Sequence, residues 1–270
     1  MLNFFLKRAI KRRLQDFRLM FYELNVLLET FEMNNYEYAV VGGFIKAILG
    51  EASKRNFTIR DIDILVDTST EELSYLLKHY FYHSKGVKVI KNSFGGFKLN
   101  VRSENELESS FEIDVWTLQS HYPFALNLFE KNWKNVPNTA WISLDGATYV
   151  VNKDKLYCKA LKKSLRKNKV YFTDSRIFTA EAPCKYILVA KLIKYWRQCN
   201  FELSEECWEF VIKFLRKNSN LSSLLKHLEL IGSVFIDWEN VIEVIKNEHQ
   251  IESTSTYRES SESSKVLGKS

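Results

Sequence analysis

Apolar and polar residues follow two different periods in the first part of the chain. Between residues 5 and 31 the apolar positions recur every three or four residues, which predicts a long amphipathic helix. The segment YEYAVVGG at 36–43 predicts a buried strand that ends in a glycine turn, and FIKAILG, which follows it, predicts a helix. TIRDIDILVD at 58–67 and FEIDVWTL at 111–118 alternate with a period of two, which predicts strands whose acidic residues project from one face.

After about residue 151 the apolar positions change to helical spacing. The segments that show this spacing are KLYCKALKKSLRK, CKYILVAKLIKYWRQ, EECWEFVIKFLRK, SSLLKHLELIG and WENVIEVIKNEH. We therefore predict an α/β (α+β) protein with a mixed-sheet head at 1–150, which includes the N-terminal helix, and an all-helical domain at 151–250. Residues 251–270 are rich in Ser and Glu and have little to bury, so we predict a disordered tail there.

The composition is that of a folded, soluble protein. Of the 270 residues, 46% are hydrophobic and 14% aromatic, with only 9 Gly and 3 Pro, which excludes a disordered or collagen-like chain. The four cysteines have no CxxC spacing, so they predict reduced thiols rather than a zinc site or a disulfide framework. The N-terminus lacks the charge order of a secretory signal, and no run approaches the ~20 apolar residues of a membrane span. We therefore expect a cytoplasmic protein without membrane contact.

The excess of basic residues is concentrated in two ridges. The formal net charge is +6, and Lys and Arg cluster at 7–13 and again at 153–169. A positive ridge of this kind suits the phosphate backbone of a nucleic acid. A solvated helix face would have the same composition, so the ridges favour nucleic acid only slightly over a small anionic ligand.

Three aspartates in the predicted strands are the main candidates for catalysis. Asp61 and Asp63 are two residues apart on one strand face, and Asp114 has the same setting in another strand. Carboxylates gathered in this way need a cation, and they suit Mg²⁺, or Mn²⁺, which takes its remaining ligands from water and substrate phosphates. Two such ions can clamp the attacking and leaving oxygens of a nucleotidyl transfer. For the Asp61 and Asp63 pair alone, a solvated acidic face is an equally good interpretation.

A pair of glycines precedes these aspartates in the chain. Gly42 and Gly43 lie where a buried strand meets a helix N-terminus, and backbone N–H groups and the helix dipole bind phosphate at such a place. Lys46, in the first turn of that helix, adds a positive charge. All three are therefore candidate phosphate contacts, although many strand-to-helix turns use glycine only for its positive φ.

The segments VVGGFIKAILG, RDIDILV and FEIDVW, in that order, resemble the nucleotidyltransferase superfamily that includes DNA polymerase beta. They are most similar to the head of the poly(A) polymerases and CCA-adding tRNA nucleotidyltransferases. The resemblance implies that Gly42 and Gly43 hold the incoming triphosphate. It also implies that Asp61, Asp63 and Asp114 bind two Mg²⁺ ions.

Two further segments extend the resemblance into a helical neck. ISLDGATYV at 142–150 is similar to the family's FTINALAYD element, which implies a nucleotide contact for Asp145. KLIKYWRQCNFELSEE at 191–206 is similar to the neck helix, which implies nucleotide contacts for Lys191 and Lys194. An amphipathic helix with solvated lysines explains these two residues equally well.

Departures from the family pattern leave the acceptor open. Lys46-Ala47 replaces an Arg-Asp pair, NTAW at 138–141 replaces RRD, and EAPCK at 181–185 replaces EDPxR. We predict a metal-dependent nucleotidyltransferase that moves a nucleoside monophosphate from a nucleoside triphosphate, such as ATP, to an acceptor hydroxyl, with an RNA or tRNA 3′ end favoured. A small-molecule (antibiotic) acceptor, a tRNA-modifying toxin and a non-catalytic nucleotide-binding module of the same fold remain alternatives.

Overall fold

The computed structural model describes residues 2–55, 57–81, 87–91, 95–101, 111–174, 176, 185–218 and 220–251. The chain divides into two compact units, Met1–Pro183 with Asn200–Cys207, and Cys184–Cys199 with Trp208–Ser270. The predicted tail, from residue 252 onward, and most of the EAPCK segment lie outside the described residues.

A seven-stranded mixed sheet forms the centre of the first unit. Its strands in chain order are β1 (Tyr38–Val41), β2 (Asp61–Val66), β3 (Val87–Lys91), β4 (Phe97–Val101), β5 (Phe111–Thr117), β6 (Thr148–Val150) and β7 (Lys155–Tyr157). In space the order is β3-β4-β5-β2-β1-β6-β7. Among the described strands of this sheet, β2 pairs with β5 in parallel and the other neighbours pair antiparallel. The predicted mixed α/β class is confirmed.

Helices and a small second sheet complete this unit. The helices are α1 (Leu2–Met20), α2 (Tyr22–Met33), α3 (Gly43–Glu51), α4 (Thr70–Phe81), α5 (Tyr122–Ala125) and α6 (Lys159–Lys167), with a 3₁₀ turn at Val136–Thr139. Two short parallel strands, β8 (Lys169–Val170) and β9 (Glu202–Leu203), pair with each other. Within the described ranges, no helix combines the length and the apolar character that crossing a membrane would require.

The prediction of one continuous helix from 5 to 31 is wrong at Phe21. This residue separates α1 from α2 and has an extended backbone, with φ −122° and ψ 99°. Its ring stacks on Phe111 of β5, with 4.3 Å between the ring centroids. The ring of Phe17, one turn earlier, also contacts Phe111, with 5.4 Å between the ring centroids. The packing of aromatic side chains on the sheet thus overrides the helical periodicity, which continues through the break.

The change in sequence pattern near residue 151 falls inside the first unit. Strand β7 pairs with β6 at the edge of the sheet, and α6 follows it directly. The hydroxyls of Ser143 and Ser164 are 2.6 Å apart and buried, so α6 is joined to the segment that precedes β6. The described residues 151–174 therefore belong to the unit that contains the sheet.

Helices make up the described part of the second unit. They are α7 (Lys185–Arg197), α8 (Glu205–Lys217), whose first turn belongs to the first unit, α9 (Ser222–Ile231) and α10 (Trp238–Glu248). Trp196 and Trp208 pack edge to face, with centroids 5.2 Å apart. Asp237 caps α10, since its carboxylate accepts a 3.0 Å hydrogen bond from the backbone N–H of Asn240.

A partly buried histidine supports the segment that follows β5. Trp116 Nε1 donates to His121 Nδ1 at 3.0 Å, and His121 Nε2 lies 2.6 Å from Thr139 Oγ1. The Thr139 hydroxyl donates to the carbonyl of Val136, so the imidazole is the donor to Thr139. Burial lowers the pKa of His121 to about 4.

Because of His121, we expect the stability of the fold to fall in acid. Because the pKa of His121 is about 4 when folded and 6.5 otherwise, the unfolded chain binds the extra proton. Its contribution to stability is complete above pH 6.5 and is lost as the pH falls toward 4. We expect His121 alone to lower the free energy of unfolding by about 2 kcal/mol between pH 7.5 and pH 5. Urea unfolding at both pH values measures this drop, which His121→Phe should reduce.

Candidate active site

The glycine turn between β1 and α3 lies against the two aspartates of β2. Gly42 has φ +63° and ψ −123°, a conformation that side-chain-bearing residues rarely adopt. A Cβ built on Gly42 would lie 3.3 Å from Asp63 Oδ2, and one on Gly43 would lie 3.9 Å from Asp61 Oδ1. Since Gly42 has no side chain to cap α3, the first backbone N–H groups of this helix remain available to an anion beside the carboxylates.

Strand pairing brings the predicted carboxylates onto one face of the sheet. In the parallel pair of β2 and β5, Asp63 lies opposite Asp114, and Asp61 lies opposite Glu112. All four are partly exposed, whereas the residues that alternate with them, such as Ile62, are buried. Directly opposed residues point to the same side of a sheet, so the two strands present four carboxylates together.

A lysine from the next strand lies among these carboxylates. Lys98 of β4 is opposite Asp114. Its Nζ donates a 2.8 Å hydrogen bond to Glu112 Oε2 and lies 3.7 Å from Asp114 Oδ2. Burial works to lower the pKa of Lys98, but the hydrogen bond to Glu112 and the charges of Asp114, Glu112 and Asp61 raise it overall.

The surroundings of Asp114 raise the pKa of its carboxyl group above the ordinary value. Burial raises its pKa, the ammonium of Lys98 opposes that shift, and the charges of Asp61 and Glu112 add to it. An ionised carboxylate in such surroundings is stabilised by any further positive charge. This is the physical condition under which an oxygen-rich cluster takes up a divalent cation.

The donor set fits Mg²⁺, although its oxygens are not drawn together. Asp61, Asp63 and Asp114 offer only carboxylate oxygens, which Mg²⁺ prefers, and they lie beside a helix N-terminus suited to phosphate. In the part of the chain that the structure describes, no three His, Cys, Asp or Glu side chains are gathered tightly enough to form a ready-made metal site. Mg²⁺ usually binds through only one or two carboxylates and takes its other ligands from water and substrate phosphates. Carboxylates that are not gathered tightly are therefore compatible with a Mg²⁺ site.

Two predicted nucleotide contacts bind each other. Lys46 Nζ donates to Asp145 Oδ1 at 2.8 Å, and both side chains are largely buried, at 13% and 16% exposure. Asp145 belongs to the turn before β6, and the carbonyl of Ala147 in the same turn accepts a 3.1 Å hydrogen bond from the N–H of Gly42. The pair therefore joins this turn to the first turn of α3, beside the glycines.

The other two predicted nucleotide contacts lie in the second unit. Lys191 and Lys194 are three residues apart on α7, so they share a face of that helix. Burial lowers the pKa of His227, and the charge of Lys191 lowers it further. The structure thus places these lysines in a different unit from the glycines and the aspartates.

Sequence reasoning missed Lys98. The alternation of FKLNV at 97–101 separates Lys98 and Asn100 from the buried Phe97, Leu99 and Val101. That pattern reveals a polar face on the strand. It does not reveal that this face continues the acidic face of β5, because the register between the strands is needed for that.

No protein-family model matches the sequence, and no curated protein matches it either. Solved structures do match, and they assign the chain a nucleotidyltransferase fold. A CCA-adding enzyme in complex with ATP has a TM-score of 0.56 and 17% identity over 90% of this chain and 52% of its own. The Thermotoga maritima CCA-adding enzyme in complex with tRNA has a TM-score of 0.57 and 18% identity over 86% of this chain and 51% of its own.

A third match has the same fold in another complex. A tRNA nucleotidyltransferase with a primer tRNA and an incoming ATP analogue has a TM-score of 0.54 and 15% identity over 84% of this chain and 62% of its own. The present chain thus spans between half and two thirds of the length of these structures. The predicted resemblance to the head and neck of the CCA-adding enzymes is confirmed at the level of the fold.

Proposed function

We propose that this protein is a metal-dependent nucleotidyltransferase, which moves a nucleoside monophosphate from a nucleoside triphosphate to an acceptor hydroxyl. One observation carries the proposal: the glycine turn lies against Asp61 and Asp63, and strand pairing puts Asp114 beside Asp63. A site for a phosphate chain and a cluster of carboxylates are therefore adjacent. Nucleotidyl transfer requires this combination.

Each part of the site has a role in this proposal. The turn at Gly42 and Gly43 and the N-terminus of α3 hold the triphosphate, since uncapped N–H groups and the helix dipole favour anions. Asp61, Asp63 and Asp114 would hold two Mg²⁺ ions, or Mn²⁺, which neutralise charge on the phosphates and the leaving group. Asp114, which lies opposite Asp63 on the same face, is our candidate to accept the proton of the acceptor hydroxyl.

Lys46 and Asp145 define a second part of the proposed nucleotide site. Their ion pair lies at the first turn of α3, so a phosphate bound at the glycines would compete with Asp145 for the ammonium of Lys46. Lys191 and Lys194 remain proposed nucleotide contacts of the helical neck, on the strength of the resemblance alone.

The basic face of α6 supports an RNA acceptor. Lys159, Lys163, Arg166 and Lys167 are exposed on it, and within the described ranges none of these four forms an ion pair. The N-terminal ridge differs, because Lys7 and Lys11 pair with Asp154, and Arg13 pairs with Glu51. The tRNA complexes among the structurally similar proteins agree with an RNA 3′ end as acceptor.

Removing two charges from α6 should weaken RNA binding. We expect Lys163→Gln/Lys167→Gln to lower RNA affinity and to reduce the slope of log K against log salt concentration by about 1.4, since each contact with single-stranded RNA contributes about 0.7. Fluorescence anisotropy over a series of salt concentrations measures this slope. Lys131→Gln/Lys134→Gln removes the same charge from another exposed segment and should leave the slope unchanged.

The decisive experiment incubates the protein and Mg²⁺ with each labelled nucleoside triphosphate and total RNA. We expect label to appear at the 3′ end of one RNA pool. Label on a small hydroxylated molecule instead would favour the antibiotic-type acceptor, and growth arrest on expression that Asp61→Ala relieves would favour a toxin. Absence of transfer from every triphosphate, with Mg²⁺ and with Mn²⁺, would refute the proposal.

A second candidate is a non-catalytic module that binds a nucleotide. Two ion pairs favour it. Lys98 already contacts Glu112 and Asp114, whose charge a metal ion would otherwise neutralise, and Lys46 is already paired with Asp145 rather than with a phosphate. Calorimetry with ATP separates the two candidates. Binding of ATP without any transfer to RNA supports the module, whereas binding that requires metal together with release of pyrophosphate supports the enzyme.

A further inference from the structure

Lys98 lies in one row with two of the carboxylates. Antiparallel pairing of β4 with β5 sets Lys98 opposite Asp114, and parallel pairing of β5 with β2 sets Asp114 opposite Asp63. In the adjacent row, Glu112 lies between Asn100 and Asp61. Because opposed residues project to the same side, the ammonium of Lys98 shares a face with four carboxylates.

The contacts of Lys98 make it the counter-ion of the β5 carboxylates. Its Nζ is 2.8 Å from Glu112 Oε2 and 3.7 Å from Asp114 Oδ2, and its side chain is 34% exposed. The ammonium of Lys98 therefore offsets part of the negative charge that Glu112 and Asp114 bring to this face of the sheet. The cluster is therefore partly neutralised, at its β5 side, by the protein itself.

A divalent cation at Asp114 would approach the carboxylate that Lys98 contacts. Two cations close to one carboxylate repel each other, and the Lys98 side chain is exposed enough to swing away. We propose that Lys98 is a resident counter-cation that holds Asp114 in place and competes with a divalent cation for this carboxylate. Lys98 is thus a positioning residue, and the inference rests on the proposed function only in treating Asp114 as a metal ligand.

Binding of Mn²⁺ to the full chain, without nucleotide, tests the competition. We expect Lys98→Met to bind Mn²⁺ about fivefold more tightly than the unmodified protein, because an opposing charge is removed. Lys98→Arg keeps the charge and should bind Mn²⁺ like the unmodified protein. The electron paramagnetic resonance signal of free Mn²⁺ during a titration measures each affinity.

Lys91→Met is the matched control. Lys91 belongs to β3 and pairs with Phe97, so it lies on the opposite face of the sheet from Lys98. It is also exposed, and its replacement removes the same charge from the same region. If both variants tightened Mn²⁺ binding equally, the effect would come from overall charge, and the proposed competition would be wrong.

Thermal unfolding gives an independent measurement. In EDTA, Lys98→Met should melt below the unmodified protein, since Glu112 and Asp114 then lose the positive charge that Lys98 supplies. Added Mn²⁺ should raise its melting temperature by more than it raises that of the unmodified protein. Lys98→Gln serves as a second variant if Lys98→Met does not fold.

The outcomes separate this inference from the proposed function. Unchanged Mn²⁺ affinity in Lys98→Met, with label transfer to RNA intact in the unmodified protein, would overturn the inference alone. Absence of label transfer in the unmodified protein would overturn the proposed function. The competition for Mn²⁺ is measured without substrate, so that second result would leave it standing.

Discussion

Asp63→Ala is expected to reduce labelled-nucleotide incorporation by about 10³-fold while the protein stays folded. Asp63 lies between Asp114, its partner in β5, and the glycine turn, where the Cβ position of Gly42 is 3.3 Å from its Oδ2. Loss of this carboxylate removes a ligand shared by the metal and phosphate parts of the proposed site. Charge stabilisation by a metal ion is worth several kcal/mol in the transition state, which corresponds to a loss of this size.

The fold should survive this change because the Asp63 side chain is partly exposed and shares its face with three other carboxylates. Its truncation leaves no void in the core, so the melting temperature in EDTA should stay close to that of the unmodified protein. Asp67→Ala is the matched control, since Asp67 follows the same strand and is exposed. Its incorporation rate should equal that of the unmodified protein. Full activity in Asp63→Ala would refute the site assignment.

Gly42→Ala is expected to lose most of the activity and part of the stability. A side chain at φ +63° and ψ −123° costs about 1–3 kcal/mol in backbone strain. The added methyl group would also lie 3.3 Å from Asp63 Oδ2, closer than an ordinary contact, so either the turn or the carboxylate must shift. A shift of about 1 Å at a catalytic group lowers the rate about 10²-fold. Urea unfolding and the incorporation assay measure the two losses.

Gly43→Ala separates backbone strain from the mere addition of a methyl group. Gly43 is the first residue of α3 and has no positive φ, and a Cβ there meets Asp61 Oδ1 at an ordinary 3.9 Å. Alanine is the better helix former, so we expect the free energy of unfolding to change by no more than about 0.5 kcal/mol. An equal loss of stability in both variants would show that the conformation of Gly42 is not the cause.

The alternation in β2 and β5 was readable from the sequence, because a strand places every second residue on the same face. That period predicted that Asp61 and Asp63 share one face, and that Asp114 lies on the exposed face of its own strand. The strand-to-helix turn at Gly42 was predictable for a similar reason, since paired glycines between a buried strand and a helix permit a positive φ. These features depend on residues close together in the chain.

The break at Phe21 was not readable in this way. The helical spacing of apolar residues continues on both sides of Phe21. Its extended backbone goes with a ring stack on Phe111, which lies 90 residues later in the chain. The pairing of β7 with β6 at the edge of the sheet is a second case, because the helical period of α6 says nothing about the strand that precedes it. Local periodicity describes an element but not its partner.

The sequence by itself determined the mixed α/β class, the acidic strand faces and the glycine turn, since each follows from local spacing and from backbone freedom at single residues. Only the tertiary structure decided that Lys98 joins the carboxylates and that Lys46 binds Asp145. The physical reason is that strand register and turn packing set these charge pairs. Register arises from contacts among distant residues, and a shift of one position would move Lys98 to the other face.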